Sequence, residues 1–147
     1  MIYSLRKQRQ IWTVAGLLIV LFTYTGISKL LNLDEFEREL ALQTLPGWSK
    51  QPLLWLIPGT ELILAGLLVY RPTRQTGFCG SALLMLLFTG YMGLVLLNFF
   101  DRVPCSCGGV IKEMGFATHF VFNLIFLALS ILGIYMYNPR RKEVKWH

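Results

Sequence analysis

Cys105 and Cys107 stand one residue apart in an otherwise apolar chain, inside Pro-Cys-Ser-Cys-Gly-Gly at Pro104–Gly109. A disulfide across a single residue closes a small, strained ring. Strain raises the reduction potential, so such a bond exchanges readily with other thiols. Pro104 and Gly108-Gly109 allow a tight, exposed loop that a partner could approach. As a passive clamp the bond constrains almost nothing, because stabilisation by a cross-link grows with the loop it closes. Metal binding is the other chemistry open to these sulfurs. Two thiolates with His119 suit Cu(I) or Zn(II). A closed zinc site usually takes four ligands, however, and the chain has three cysteines and two histidines. No metal centre is expected.

His119 follows the pair at the start of an apolar run. Thr118 is a candidate cap for a helix beginning there, and the positive end of that helix would favour a thiolate nearby. A neutral imidazole in this place could accept a thiol proton. Asn123 lies four residues on, on the same helical face, and could orient it. An interfacial histidine that simply faces water is the plainer reading. Asn98 reaches the same region from the preceding run. Cys79, far from the pair, reads as a free, buried structural cysteine.

Lys29 and Glu61 are ionisable groups within apolar runs. A charge at that depth normally faces the interior of a bundle and has a partner. Counted along ideal helices, Lys29 stands about 26 Å above Trp12 and Glu61 about 14 Å above Tyr70. Helix tilt, side-chain reach or a kink at Pro58 must close the gap before the two can pair. Tyr24 is the better depth match for a hydrogen bond to Glu61, and Lys29 could instead snorkel to the interface.

The elements that must position these residues are membrane helices. Of 147 residues, 54% are hydrophobic and 15% charged. The charges fall in short gaps between apolar runs of about 20 residues, the length that crosses the hydrocarbon core. The spans are Ile11–Leu31, Leu53–Tyr70, Gly77–Phe100 and Ala117–Tyr137, with connecting loops at 32–52 and 101–116. The first is too long for a cleavable signal peptide and lacks a small-residue cleavage site. The expected fold is a single all-α membrane domain over 1–147, an antiparallel bundle of four transmembrane helices. Asp34–Thr44 places Phe36, Leu40 and Gln43 on one face and predicts a short amphipathic helix on the outer surface.

The net charge of +6 follows this topology and does not indicate nucleic-acid binding. Arg6, Lys7 and Arg9 precede the first span, Arg71 and Arg74 join the second to the third, and Arg140, Arg141, Lys142 and Lys145 follow the fourth. Asp34, Glu35, Glu37, Glu39, Asp101 and Glu113 occupy the other two loops. The positive-inside rule puts both termini in the cytoplasm and the cysteine loop outside the inner membrane, facing the periplasm, where disulfides persist.

Thr23–Glu37 (TYTGISKLLNLDEFE), Pro58–Val69 (PGTELILAGLLV), Pro104–Gly109 (PCSCGG) and Thr118–Asn123 (THFVFN) together resemble the MauE/DoxX-type redox-associated membrane proteins, over nearly the whole chain. The resemblance implies a four-helix membrane bundle, distantly similar to vitamin K epoxide reductase and the bacterial disulfide-forming membrane proteins. It also implies a part in disulfide formation in an exported client protein, alongside a thioredoxin-like partner. A quinone is the cofactor it brings into view. The quinone-linked enzymes carry Cys-x-x-Cys and often a second, shuttling pair, whereas this chain has one Cys-x-Cys. Electrons would then pass to or from a separate protein, or the pair would act stoichiometrically. The rival function is a non-catalytic membrane subunit that binds an exported protein or a lipid, its cysteines only shaping the loop.

Overall fold

The computed structural model describes residues 2–97, 99 and 115–137. They form five α-helices: α1 (Ile2–Leu31), α2 (Leu33–Leu42), α3 (Gly47–Val69), α4 (Arg74–Leu96) and α5 (Phe116–Met136). Four of them, α1, α3, α4 and α5, are long and apolar enough to cross a membrane. The chain is therefore a multi-pass membrane protein, all-helical among the described residues. Large apolar side chains such as Val20, Ile63, Leu87 and Ile125 are exposed on its outside, as expected where lipid tails rather than water are the solvent.

The helix limits differ from those expected in ways the residues explain. Helix α1 starts well before Ile11, because Leu5, Arg6, Lys7, Gln8, Arg9 and Gln10 are good helix formers that extend a span beyond the bilayer. Helix α3 begins at Gly47 and carries both Pro52 and Pro58 within it. Each proline removes one backbone donor, a loss that membrane helices tolerate where neighbours cover it. A 3-10 turn, Arg71–Thr73, joins α3 to α4, so these two helices form a tight antiparallel hairpin.

The four long helices close a ring: α1 packs on α3 and α5, α3 on α4, and α4 on α5. Its core joins Leu18 and Phe22 of α1, Leu64 and Leu68 of α3, and Phe78 and Met85 of α4. Where α4 meets α5, the Phe78 ring occupies the place a Cβ on Gly133 would need. Where α1 meets α3, a Cβ on Gly26 would come within 3.3 Å of the Pro58 carbonyl oxygen. Glycine at these two positions permits the close approach.

The Arg71 end of the bundle is tied by groups that the sequence reading assigned only to topology. Arg74 is buried, its Nε donating to the Leu68 carbonyl at 2.8 Å and its Nη2 to that of Val69 at 3.1 Å. These are orphan carbonyls at the C-terminus of α3, which need partners from outside the helix. The guanidinium carbon of Arg74 sits 3.9 Å from the centroid of the Trp12 ring, and Tyr137 donates its hydroxyl to the Arg71 carbonyl at 2.7 Å.

Two expectations need correction here. Helix α2 forms nearly where expected, but its apolar face does not lie on lipid. Phe36 and Leu40 are buried against Leu54, with Leu53 and Ile57 beside them, because the N-terminal half of α3 presents α2 an apolar wall inside the fold. Cys79 is free, as expected, yet exposed rather than buried. Gly77, Phe78, Ser81 and Met85 take the inward face of α4, which leaves Cys79 on the outward one.

Candidate functional site

The candidate site is a cavity at the Lys29 end of the bundle, beneath α2. Leu21, Thr25 and Lys29 line it from α1, spaced one helical turn apart on a single face. Helix α3 contributes Ile57 and Glu61, α4 contributes Met85, Phe88, Tyr91 and Met92, and α5 contributes His119, Phe122 and Asn123. Phe36, Glu39 and Leu40 of α2, with Gln43 just past its end, complete it. The volume is about 120 Å³.

At its polar end Lys29 Nζ donates to Glu61 Oε1 at 2.6 Å. Glu61 is 2% exposed and the Lys29 side chain 12%. Lys29 therefore turns inward and does not snorkel. The depth count fails to foresee this because its two baselines are not level. Trp12 packs beside Arg71 and Arg74, past the C-terminal end of α3, so the count along α1 starts lower than the count along α3. Gly26 consequently lies against Pro58 and Leu62, and the lysine side chain spans what remains to Glu61. The Phe36 and Phe88 rings flank the ammonium, with centroids at 5.7 and 5.9 Å.

Tyr24 is not the partner of Glu61. It is 56% exposed on the outside of α1, one residue off the inward face that Thr25 occupies. Thr25 is buried beside Glu61; its hydroxyl donates to the Leu21 carbonyl of its own helix at 3.0 Å and also faces the Glu61 carboxylate. One carboxylate oxygen of Glu61 is thus held by Lys29, while Oε2 is buried with no hydrogen-bond partner among the described residues.

His119 and Asn123 share the inward face of α5, as their spacing predicts, and both line the cavity. Asn123 is buried and His119 half-buried. No hydrogen bond joins them, so Asn123 does not orient the imidazole in this arrangement. Thr118 is not the cap either. Helix α5 begins at Phe116, its N-cap residue is Gly115, and the backbone N–H of His119 already donates to the Gly115 carbonyl at 3.0 Å. His119 therefore sits one turn inside the helix, past the first orphan donors.

A polar tie that the residue pattern does not announce holds α2 down. Tyr91 donates its hydroxyl to Gln43 Oε1 at 2.7 Å, and Thr44 Oγ1 lies 3.3 Å from the same hydroxyl. Lys50 Nζ donates to the Ala41 carbonyl at 3.0 Å. Gln43 was legible from the face it shares with Phe36 and Leu40. Tyr91, one tyrosine in a long apolar run, carried no signal.

Cys105, Cys107 and Asn98 lie outside the described residues. What is placed is the chain on either side of them. Helix α4 ends at Leu96 and α5 starts at Phe116, both at the end of the bundle where α2 and the cavity lie. A family model described as methylamine utilisation protein MauE matches residues 7–136. No curated protein and no solved structure gives a match.

Proposed function

The chain belongs to the MauE family of methylamine utilisation proteins, and on that premise we propose that it is a membrane thiol–disulfide exchange protein working on an exported or thioredoxin-like partner. The observation that carries this reading is topological. The connection bearing Cys105-Ser106-Cys107 leaves α4 and enters α5 at the same end of the bundle as the polar groups Lys29, Glu61, His119 and Asn123.

In the exchange, a thiolate of the partner attacks one sulfur of the Cys105–Cys107 disulfide. A mixed disulfide forms and the other cysteine leaves as thiolate. The partner's second thiolate then attacks the mixed bond, so the partner gains a disulfide and Cys105 and Cys107 end as a dithiol. The disulfide of a thioredoxin-like protein restores the pair by the same steps in reverse. His119 is the candidate proton acceptor for the attacking thiol. The charge pattern supports a place in the inner membrane with both termini in the cytoplasm and the cysteine loop in the periplasm, which permits disulfides.

The test is the variant Cys105→Ser with Cys107→Ser, followed by thiol trapping of the exported proteins that accumulate during growth on methylamine. The expected result is a client protein left reduced. Full oxidation of every client in that variant would instead favour a non-catalytic membrane subunit whose cysteines only shape the loop.

A further inference from the structure

The end of the bundle opposite α2 gathers positive charge on one indole ring. We propose that the corner formed by Arg9, Trp12 and Arg71 binds the phosphate of an anionic membrane lipid, one per chain. This inference rests neither on the cysteines nor on the cavity beneath α2.

Three observations converge. The first is crowding of like charge. The guanidinium carbons of Arg74 and Arg71 lie 3.9 and 5.6 Å from the centroid of the same Trp12 ring. Arg74 is buried and takes the Leu68 and Val69 carbonyls. The negative end of the α3 dipole amounts to about half a charge, which Arg74 alone offsets. Arg71 is exposed, and its charge is left over.

The second is where the carboxylates are. Among the described residues they are Asp34, Glu35, Glu37 and Glu39, all on α2 at the far end of the bundle, and Glu61. Glu61 stands about 14 Å above Tyr70 along α3 and is held by Lys29. An anion for Arg71 has to come from elsewhere. Arg9 is exposed three residues before Trp12, on the same face of α1 and about 4.5 Å further out. With the indole at the membrane interface, as tryptophans prefer, Arg9 reaches the level of the headgroup phosphates. Guanidinium groups offer paired N–H donors that match phosphate oxygens, and basic recesses between membrane helices are where anionic headgroups bind.

The third observation favours a lipid over a dissolved anion. Gly16 lies one turn inward from Trp12 on α1, and Gly66 one turn inward from Tyr70 on α3. A Cβ at either would meet open space, with no atom within 4 Å. Acyl chains can lie close along these helices directly above the charged corner. The corner is also held in shape. The Tyr137 hydroxyl donates to the Arg71 carbonyl at 2.7 Å, and that of Thr73 to the Leu67 carbonyl at 3.0 Å, so little order is lost when Arg71 takes a partner.

Native mass spectrometry of the full-length protein in a neutral detergent tests this, with phosphatidylglycerol and phosphatidylcholine of identical chains as probes. Each cation near an anionic headgroup gives roughly a fivefold preference. The wild type should therefore retain one phosphatidylglycerol at least about tenfold more tightly than phosphatidylcholine. Arg9→Gln with Arg71→Gln should remove most of that preference. Arg6→Gln with Lys7→Gln takes away the same charge from positions off the Trp12 face of α1 and should leave most of it. Equal retention of the two lipids by the wild type would overturn the proposal. So would equal losses in the two double variants, which would mark a diffuse attraction with no site. Displacement of phosphatidylglycerol by an equal concentration of inorganic phosphate would also overturn it, by assigning the corner to a free anion. The wild-type contrast and the phosphate competition need no variant, so they decide even where a substitution prevents folding.

Discussion

The Lys29 ammonium lies 2.6 Å from Glu61 Oε1, joining the end of one membrane helix to the middle of its antiparallel neighbour. Removing one member of a buried pair leaves an uncompensated charge and costs about 3–5 kcal/mol, whereas replacing both by apolar groups of similar volume is often neutral. Glu61→Leu alone is therefore expected to lower the thermal midpoint in detergent sharply. Lys29→Met with Glu61→Leu should restore most of it. A double variant as unstable as the worse single one would mean that the pair is not what joins α1 to α3.

A second expectation concerns α4 and α5. The Phe78 ring is fully buried in the space a Cβ on Gly133 would fill. Overpacking of this kind typically costs about 1–3 kcal/mol. Gly133→Ala should destabilise by that order, and Phe78→Leu in the same chain should relieve part of it. Additive losses in the double variant would show that the two residues do not compete for one space.

Much of this was readable before the structure, and the reasons are physical. Four apolar runs of bilayer length, with at most one charge in each, leave the chain few alternatives to four spanning helices. Phe36 and Leu40 fall on one face because helical periodicity requires it. Depth was harder. Counting residues from the nearest aromatic made Tyr24 a partner for Glu61, because the count cannot know that Trp12 lies beside Arg71 and Arg74. Exposure of Cys79 is not legible in the sequence for a related reason. In an apolar membrane helix both faces are greasy, so composition does not say which one turns inward. With Gly115 rather than Thr118 as the N-cap of α5, His119 moves from the first helical position to one turn inside the helix.

A third prediction follows from the tie on α2. Tyr91 donates to Gln43 Oε1 at 2.7 Å, and Gln43 is buried. Tyr91→Phe keeps the ring and removes the donor, leaving a buried acceptor unmet at a cost of about 1–3 kcal/mol. Much of that cost should appear as local opening of α2 rather than as loss of the bundle. Amide exchange over Leu33–Leu42 should rise by roughly tenfold or more while α4 keeps its protection, the factor that about 1.4 kcal/mol implies. Unchanged exchange across α2 would mean that the apolar contacts of Phe36 and Leu40 alone hold it in place.

The orientation of the whole molecule rests on charge, and cysteine labelling tests it. Arg6, Lys7, Arg9, Arg71 and Arg74 gather at the α1 N-terminus and the α3–α4 turn, while Asp34, Glu35, Glu37 and Glu39 gather on α2. Arg74 is spent on capping α3, so it serves structure as well as topology, and the remaining cations must still outvote the acidic end. If they do, a membrane-impermeant maleimide applied to intact, reduced cells will label a variant that keeps Cys105 and Cys107 but carries Cys79→Ser. The converse variant, with Cys79 as the lone thiol, will resist the reagent until the cells are opened, because Cys79 sits just inside α4 near the Arg71 turn. The opposite pattern would place the paired cysteines in the cytoplasm, where thiols are kept reduced, and would remove the compartment on which disulfide exchange with an exported client depends.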